Sequence, residues 1–168
     1  MPKTDTQLTK QVGEYLVAAE LARRGLISAT FAGSVRHFDI IASGPSGGHL
    51  PIQVKAMATG NWQLDIKDFA EVTFRGHEQV IGGPKVAPYD RLVFVFVAVD
   101  SYGSDQFFII DWVALCDLLI PDYEAYLSAH QGVRPKNWET THTAISIAKL
   151  SPFKDRWETI AARVAHAA

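Results

Sequence analysis

The chain has 168 residues, 48% of them hydrophobic, a net charge of −2 and a sequence pI near 6.3. It is long enough for one packed core and has no apolar run of the roughly eighteen residues a membrane span needs. The slightly acidic balance argues against a protein that grips phosphates over its whole surface, while leaving room for a local basic groove. A polar start at Met1-Pro2-Lys3-Thr4-Asp5 carries no signal-peptide stretch. The lone Cys116 cannot form an internal disulfide, and no zinc-ligand spacing occurs. The expectation is a soluble, cytoplasmic single domain, with residues 6–111 as the core and 112–168 as a C-terminal helical extension.

In chain order, residues 6–24 read as a helix, with Thr4, Asp5 and Thr6 offering N-caps and Gly25 a C-terminal stop. Residues 26–32 read as a strand. A hairpin follows, its arms at Phe38-Asp39-Ile40-Ile41 and Pro51-Ile52-Gln53-Val54-Lys55, its turn in Ser43-Gly44-Pro45-Ser46-Gly47-Gly48. Residues 61–66 suit a short strand, 67–74 a helical turn or two, and 76–89 a long loop. The apolar run from Leu92 to Val99 predicts a strand covered on both faces, returned by an antiparallel strand at 106–110. Helices are expected at 112–119 and 122–130, split by Pro121. A polar loop follows at 132–143, then a strand at 144–150 and a last helix from Ser151-Pro152 to Ala165. The sum is an α/β fold, a mixed sheet flanked by helices.

Side chains alternate along a strand, so Gln53 and Lys55 share one face while Ile52 and Val54 take the other. A turn centred on Ser46 sets Asp39 directly opposite Gln53. An acid, an amide and a lysine then converge outside a hydrophobic layer, a composition suited to a divalent cation and a water.

On the first helix, a wheel groups Leu8, Val12, Tyr15, Leu16, Ala18, Ala19 and Ala22 as the apolar face. Glu20 falls opposite, four residues before Arg24, as ordinary paired surface. Glu14 falls at the rim of the apolar face, where a carboxylate either bends out to water or points toward Asp39, Gln53 and Lys55.

These residues resemble a known family. Gly13-Glu14, Leu21, Arg24-Gly25, Phe31-Ala32-Gly33-Ser34, Asp39 and Gln53-Val54-Lys55, over roughly Thr9 to Met57, are similar to the restriction-endonuclease-like PD-(D/E)xK nucleases. Within them the likeness runs to archaeal Holliday-junction resolvases and related small nuclease domains. The resemblance implies Asp39 as principal metal ligand, Gln53 in the second ligand position, the Val54 carbonyl as a further oxygen and Glu14 binding the metal directly or through water. Lys55 would orient the attacking water, and Ser34 would sit near the scissile phosphate. The implied cofactor is Mg2+, or Mn2+; the implied partners are DNA and a second copy of the chain in a homodimer. Two departures stand out: Gln53 replaces the usual acid, and Phe38 replaces the usual proline.

The expected activity is a metal-dependent endonuclease; the alternative is a catalytically inactive nuclease-fold module that binds nucleic acid or a protein. Elsewhere, Cys116 reads as a buried thiol and the four tryptophans as core anchors. Gly47-Gly48 and Gly82-Gly83-Pro84 read as turns. Among the histidines, His37 and His77 are the better candidates for a site. Lys67, Arg75 and Lys85 are either phosphate contacts or solvated surface.

Overall fold

A computed structural model describes residues 6–31 and 36–165. Five strands form the central sheet: β1 (Ile27–Thr30), β2 (Ile40–Ser43), β3 (His49–Met57), β7 (Val93–Ala98) and β8 (Gln106–Asp111), lying side by side in that order. Neighbours are antiparallel except the central pair β3 and β7, which is parallel. A parallel pair needs a crossover. This one carries β4 (Trp62–Asp65), a 3-10 turn at Ile66–Asp68 and a hairpin of β5 (Ala70–Arg75) and β6 (Glu78–Pro84). Helix α1 (Thr6–Arg23) precedes the sheet. After it come α2 (Trp112–Ser128), β9 (His142–Ile145), a short α3 (Ile147–Leu150) and α4 (Glu158–Ala165). No helix among the described residues is long and apolar enough to cross a membrane.

Strand β7 divides the core. Val93, Val95 and Val97 face Val17 and Leu21 of α1 and Ile160 and Val164 of α4. Phe94 and Phe96 face the other way, into a layer with Trp62, Trp112, Leu115 and Leu119. The continuous apolar run is therefore explained: helices cover both faces of the strand. The hairpin register is the expected one, with Ser43 paired to His49 and Ile40 to Ile52.

The contact face of α1 differs from the wheel reading. Thr9, Gly13, Val17 and Leu21 are buried, whereas Leu8, Val12 and Tyr15 are exposed, and so are Ala19 and Ala22. Small residues are what allow α1 to lie close on β3: a Cβ added at Gly13 would collide with the Ala56 Cβ. Glu20 pairs with both Arg23 and Arg24, as surface.

Other elements also depart from expectation. Residues 67–74 hold one 3-10 turn and then strand β5, and the expected loop 76–89 contains β6, so Gly82-Gly83-Pro84 ends a strand. The two expected helices are one, α2, running through Pro121. Proline there removes an N–H and frees the carbonyl of Asp117 four residues back; both residues lie on the exposed side, where water serves that carbonyl, while the buried stripe from Trp112 to Leu127 continues past them. The strand expected at 144–150 is β9 plus α3, paired antiparallel to β4. The last helix starts late: a 3-10 turn at Ser151–Phe153 ends before Asp155, whose φ of 55° breaks it. Cys116 is buried, and burial, with Asp117 and Asp111 nearby, pushes its thiol up to about 11.

Replacing Gly13 with Ala should lower stability by about 1–3 kcal/mol through overpacking against Ala56, despite alanine's better helix propensity. Urea unfolding measures this; an unchanged or raised midpoint would show that α1 does not sit on Ala56.

Candidate active site

The site arises where β2 stops and β3 continues. Extending the β2–β3 ladder, the Val54 N–H would next meet the carbonyl of residue 38. The chain bends at Asp39 instead, its N–H donating to the Ile52 carbonyl at 2.8 Å. The Asp39 carboxylate takes the vacant place: Oδ2 accepts from the Val54 N–H at 2.8 Å and from Gln53 Nε2. Because both backbone groups of one strand residue point to the same side, the Val54 carbonyl is directed at the same gap.

That gap joins the two faces of the sheet. Gln53 and Lys55 pair with Phe94 and Phe96 and lie on the α2 side. Glu14 belongs to α1, on the opposite side, and the close Gly13–Ala56 approach brings it to the opening. Lys10, one turn earlier, lies with Nζ 3.7 Å from Glu14 Oε1 and 3.6 Å from Asp39 Oδ1. The Asp39 side chain is only 10% exposed and Glu14 17%, against 46% for Lys10. Burial, then the Asp39 charge, push the Glu14 carboxyl above the ordinary glutamate range, and Lys10 only partly opposes them. Two carboxylates are thus held together with an accessible ammonium between them.

Four of the residues singled out in the sequence meet at this notch or its wall: Glu14 and Asp39 with the Gln53 side chain, and the Val54 backbone. Lys55 lines the adjoining cleft and makes no hydrogen bond or ion pair among the described residues. Ser34 lies outside the described residues. Lys10 is the member that sequence reasoning missed; its spacing of four from Glu14 was the available signal. Among the described residues, no three His, Cys, Asp or Glu side chains come together in a metal-binding arrangement, so any cation here would also use amide or carbonyl oxygens.

The cleft beside Gln53 and Lys55 has a volume of about 650 Å³. Leu64, Phe69, Phe94 and Trp112 supply apolar lining, with Gln63, Lys67, Lys85, His37 and His142 among the polar residues. Lys67 pairs with Asp65 at 3.1 Å, and Lys85 Nζ donates to the Lys67 carbonyl at 2.6 Å. Thr141 and Lys67 bond to the Asp65 carboxyl and hold it below the ordinary aspartate range, although burial alone would raise it. Arg75, on the β5–β6 hairpin, lies outside this lining, and His77 is stacked on Trp138 at 4.5 Å. Trp62, Trp112 and Trp157 are buried.

No protein-family model and no curated protein matches the sequence. Among solved structures, the chain is similar to the bacterial homing endonuclease I-Ssp6803I. The match has a TM-score of 0.52 and 12% identity, over 96% of this chain and 97% of that one. This likeness shows a nuclease-like α/β fold.

The raised carboxyl has a thermodynamic consequence. In the interval above the ordinary glutamate pKa the native state binds more protons than the unfolded chain, so stability falls as pH rises through it. Glu14→Gln removes that penalty. Its thermal midpoint should exceed that of the parent at pH 7, and the difference should fade below about pH 4, where both forms are neutral. A gain of equal size at both pH values would contradict the burial argument.

Proposed function

We propose that this protein is a metal-dependent endonuclease that hydrolyses phosphodiester bonds in DNA. The observation that carries the reading is the convergence of Glu14, Asp39, Gln53 and the Val54 carbonyl at one notch, with Lys55 beside it. The nuclease-like fold supports it.

The donor set fits a hard divalent cation. Mg2+ prefers oxygen ligands and needs only one or two carboxylates, keeping waters elsewhere. The notch offers two carboxylates, the Val54 carbonyl and, with the Gln53 amide turned, its Oε1. A positive charge, the Lys10 ammonium, already stands between the acids. Mg2+ or Mn2+ bound there would acidify a water and stabilise charge on the phosphate. Asp39, fixed by the Val54 N–H, holds its carboxylate in one orientation. Glu14 adds the second negative charge from α1. Lys55, without a partner among the described residues and on the cleft wall, orients the attacking water and offsets the charge that develops on the phosphate oxygens. Lys10 must swing out to solvent for the cation to enter.

Gln53 contributes no charge, which weakens cation affinity and is the feature that favours an inactive binding module. The deciding measurement pairs cleavage of plasmid and linear DNA with Mg2+ titration calorimetry. Active protein should cut in Mg2+ and stop in chelator, and Asp39→Ala or Lys55→Ala should each lose about 10²–10⁴-fold in rate. Undiminished cutting by both variants would sink the assignment. No cutting and no cation uptake would leave the binding module.

A homodimer belongs to the same reading, since two strands need two sites. The exposed stripe Leu8, Val12, Tyr15, Ala19 and Ala22 on α1 has the alternating spacing of a helix-pairing seam. An antiparallel second copy centred on Tyr15 would set Leu8 against Ala22 and Val12 against Ala19, bulky against small. Light scattering at micromolar concentration should give twice the chain mass for the parent and a monomer for Tyr15→Glu; a monomeric parent would overturn the pairing.

A further inference from the structure

We infer that the cleft on the Gln53–Lys55 side binds one unstacked nucleobase of the nucleic acid strand held at Lys55, an inference that rests on the nuclease reading of the notch.

The cleft's volume of about 650 Å³ lies within the range of sites that enclose a compact ligand. It suits a single nucleotide and is too small for a duplex. Its floor is unlike a phosphate track. Leu64, Phe69, Phe94 and Trp112 line it, and the Phe69 and Trp112 rings pack against one another with centroids 5.1 Å apart. Trp112 is held in place by its Nε1 donating to the Lys85 carbonyl at 2.9 Å, so the floor is rigid. These side chains are themselves largely buried, so the floor offers a narrow apolar surface rather than an open stacking face, and a base seated on it buries apolar surface of its own.

The upper wall carries the groups that read a base edge. Gln63 uses its Nε2 on the Asn61 carbonyl at 3.2 Å, which leaves Oε1 as an acceptor. The His142 ring makes no hydrogen bond or ring contact among the described residues and also lines the cleft. Gln53, bonded to Asp39, marks the notch end of the cleft, and Lys55 follows two residues on along the same strand face. A base seated in the cleft therefore places its own phosphate toward the notch.

Removing a base from a duplex costs a few kcal/mol, and least where it is already unpaired. The chain should therefore prefer DNA with an unpaired nucleotide next to the phosphate it holds. The test measures binding by the 168-residue chain in chelator, so that no strand is cut, to a paired duplex and to the same duplex with one unpaired 2-aminopurine. The unpaired DNA should bind at least about tenfold tighter, in line with the unpairing cost it saves, and 2-aminopurine fluorescence should change on binding. Gln63→Trp, which fills the cleft from an exposed strand position, should abolish the preference while its circular dichroism spectrum stays that of the parent. Equal affinity for the two DNAs with unchanged fluorescence overturns the inference, and so does a preference that survives Gln63→Trp. Cutting in Mg2+ is scored separately. Cutting without the preference removes the cleft inference alone. Preference without cutting removes the nuclease reading and leaves a base-binding module.

Discussion

Everything distinctive about this molecule depends on one hydrogen bond, from the Val54 N–H to the carboxylate of Asp39. Pairing of β2 with β3 stops at Ile40 and Ile52 while β3 runs on to Met57, and an uncovered amide inside a sheet is costly. Asp39 satisfies that amide with a side chain where a main-chain carbonyl would normally serve. The same bond fixes the carboxylate at the sheet's opening, so a structural requirement and a candidate ligand coincide in one group. It also explains how residues from opposite faces meet. Glu14 comes from the helix on one side of β3 and Gln53 from the cleft side; a gap in the ladder lets both approach Asp39.

The electrostatics of that point are unfavourable. Two carboxylates of low exposure share the compensation of one lysine, at distances of 3.6 and 3.7 Å rather than in tight contact. An ammonium so placed is a weak partner, because it is nearly half exposed and screened by water. Burial first, and then the residual repulsion from Asp39, raise Glu14. A cavity that concentrates negative charge in this way stabilises whatever cation enters, and folding stability is the quantity given up.

How much of this was legible in the sequence depends on which physical signal each residue carries. The Gly-Pro-Ser-Gly turn sets hairpin register, and with it the pairing of Asp39 with Gln53, because period-two alternation tolerates no slip. The doubly covered strand at 93–98 was legible from its unbroken apolar run. The face of α1 was not. A hydrophobic wheel assumes that large apolar residues face inward, but here close packing on Ala56 selects Gly13 and Thr9 and turns Leu8, Val12 and Tyr15 outward. The crossover was misread because Gly82, Gly83 and Pro84 are turn residues by composition, yet they end a strand whose partner β5 sits beside them. Pro121 misled in the same way: its cost falls on an exposed carbonyl, and the buried stripe either side outweighs it.

Placement of Glu14 follows from the same packing that defeated the wheel. Were α1 seated by its large side chains, its axis would stand further from β3 and a glutamate carboxylate would fall short of the notch. Glycine at position 13 removes that distance just one residue before the acid. The helix interior gives up about 1 kcal/mol for glycine in place of alanine, and what it gains is approach, a second carboxylate delivered to an opening that β2 leaves in the sheet. The apolar residues Leu8, Val12 and Tyr15, displaced to the outer face of α1, are the other half of the exchange.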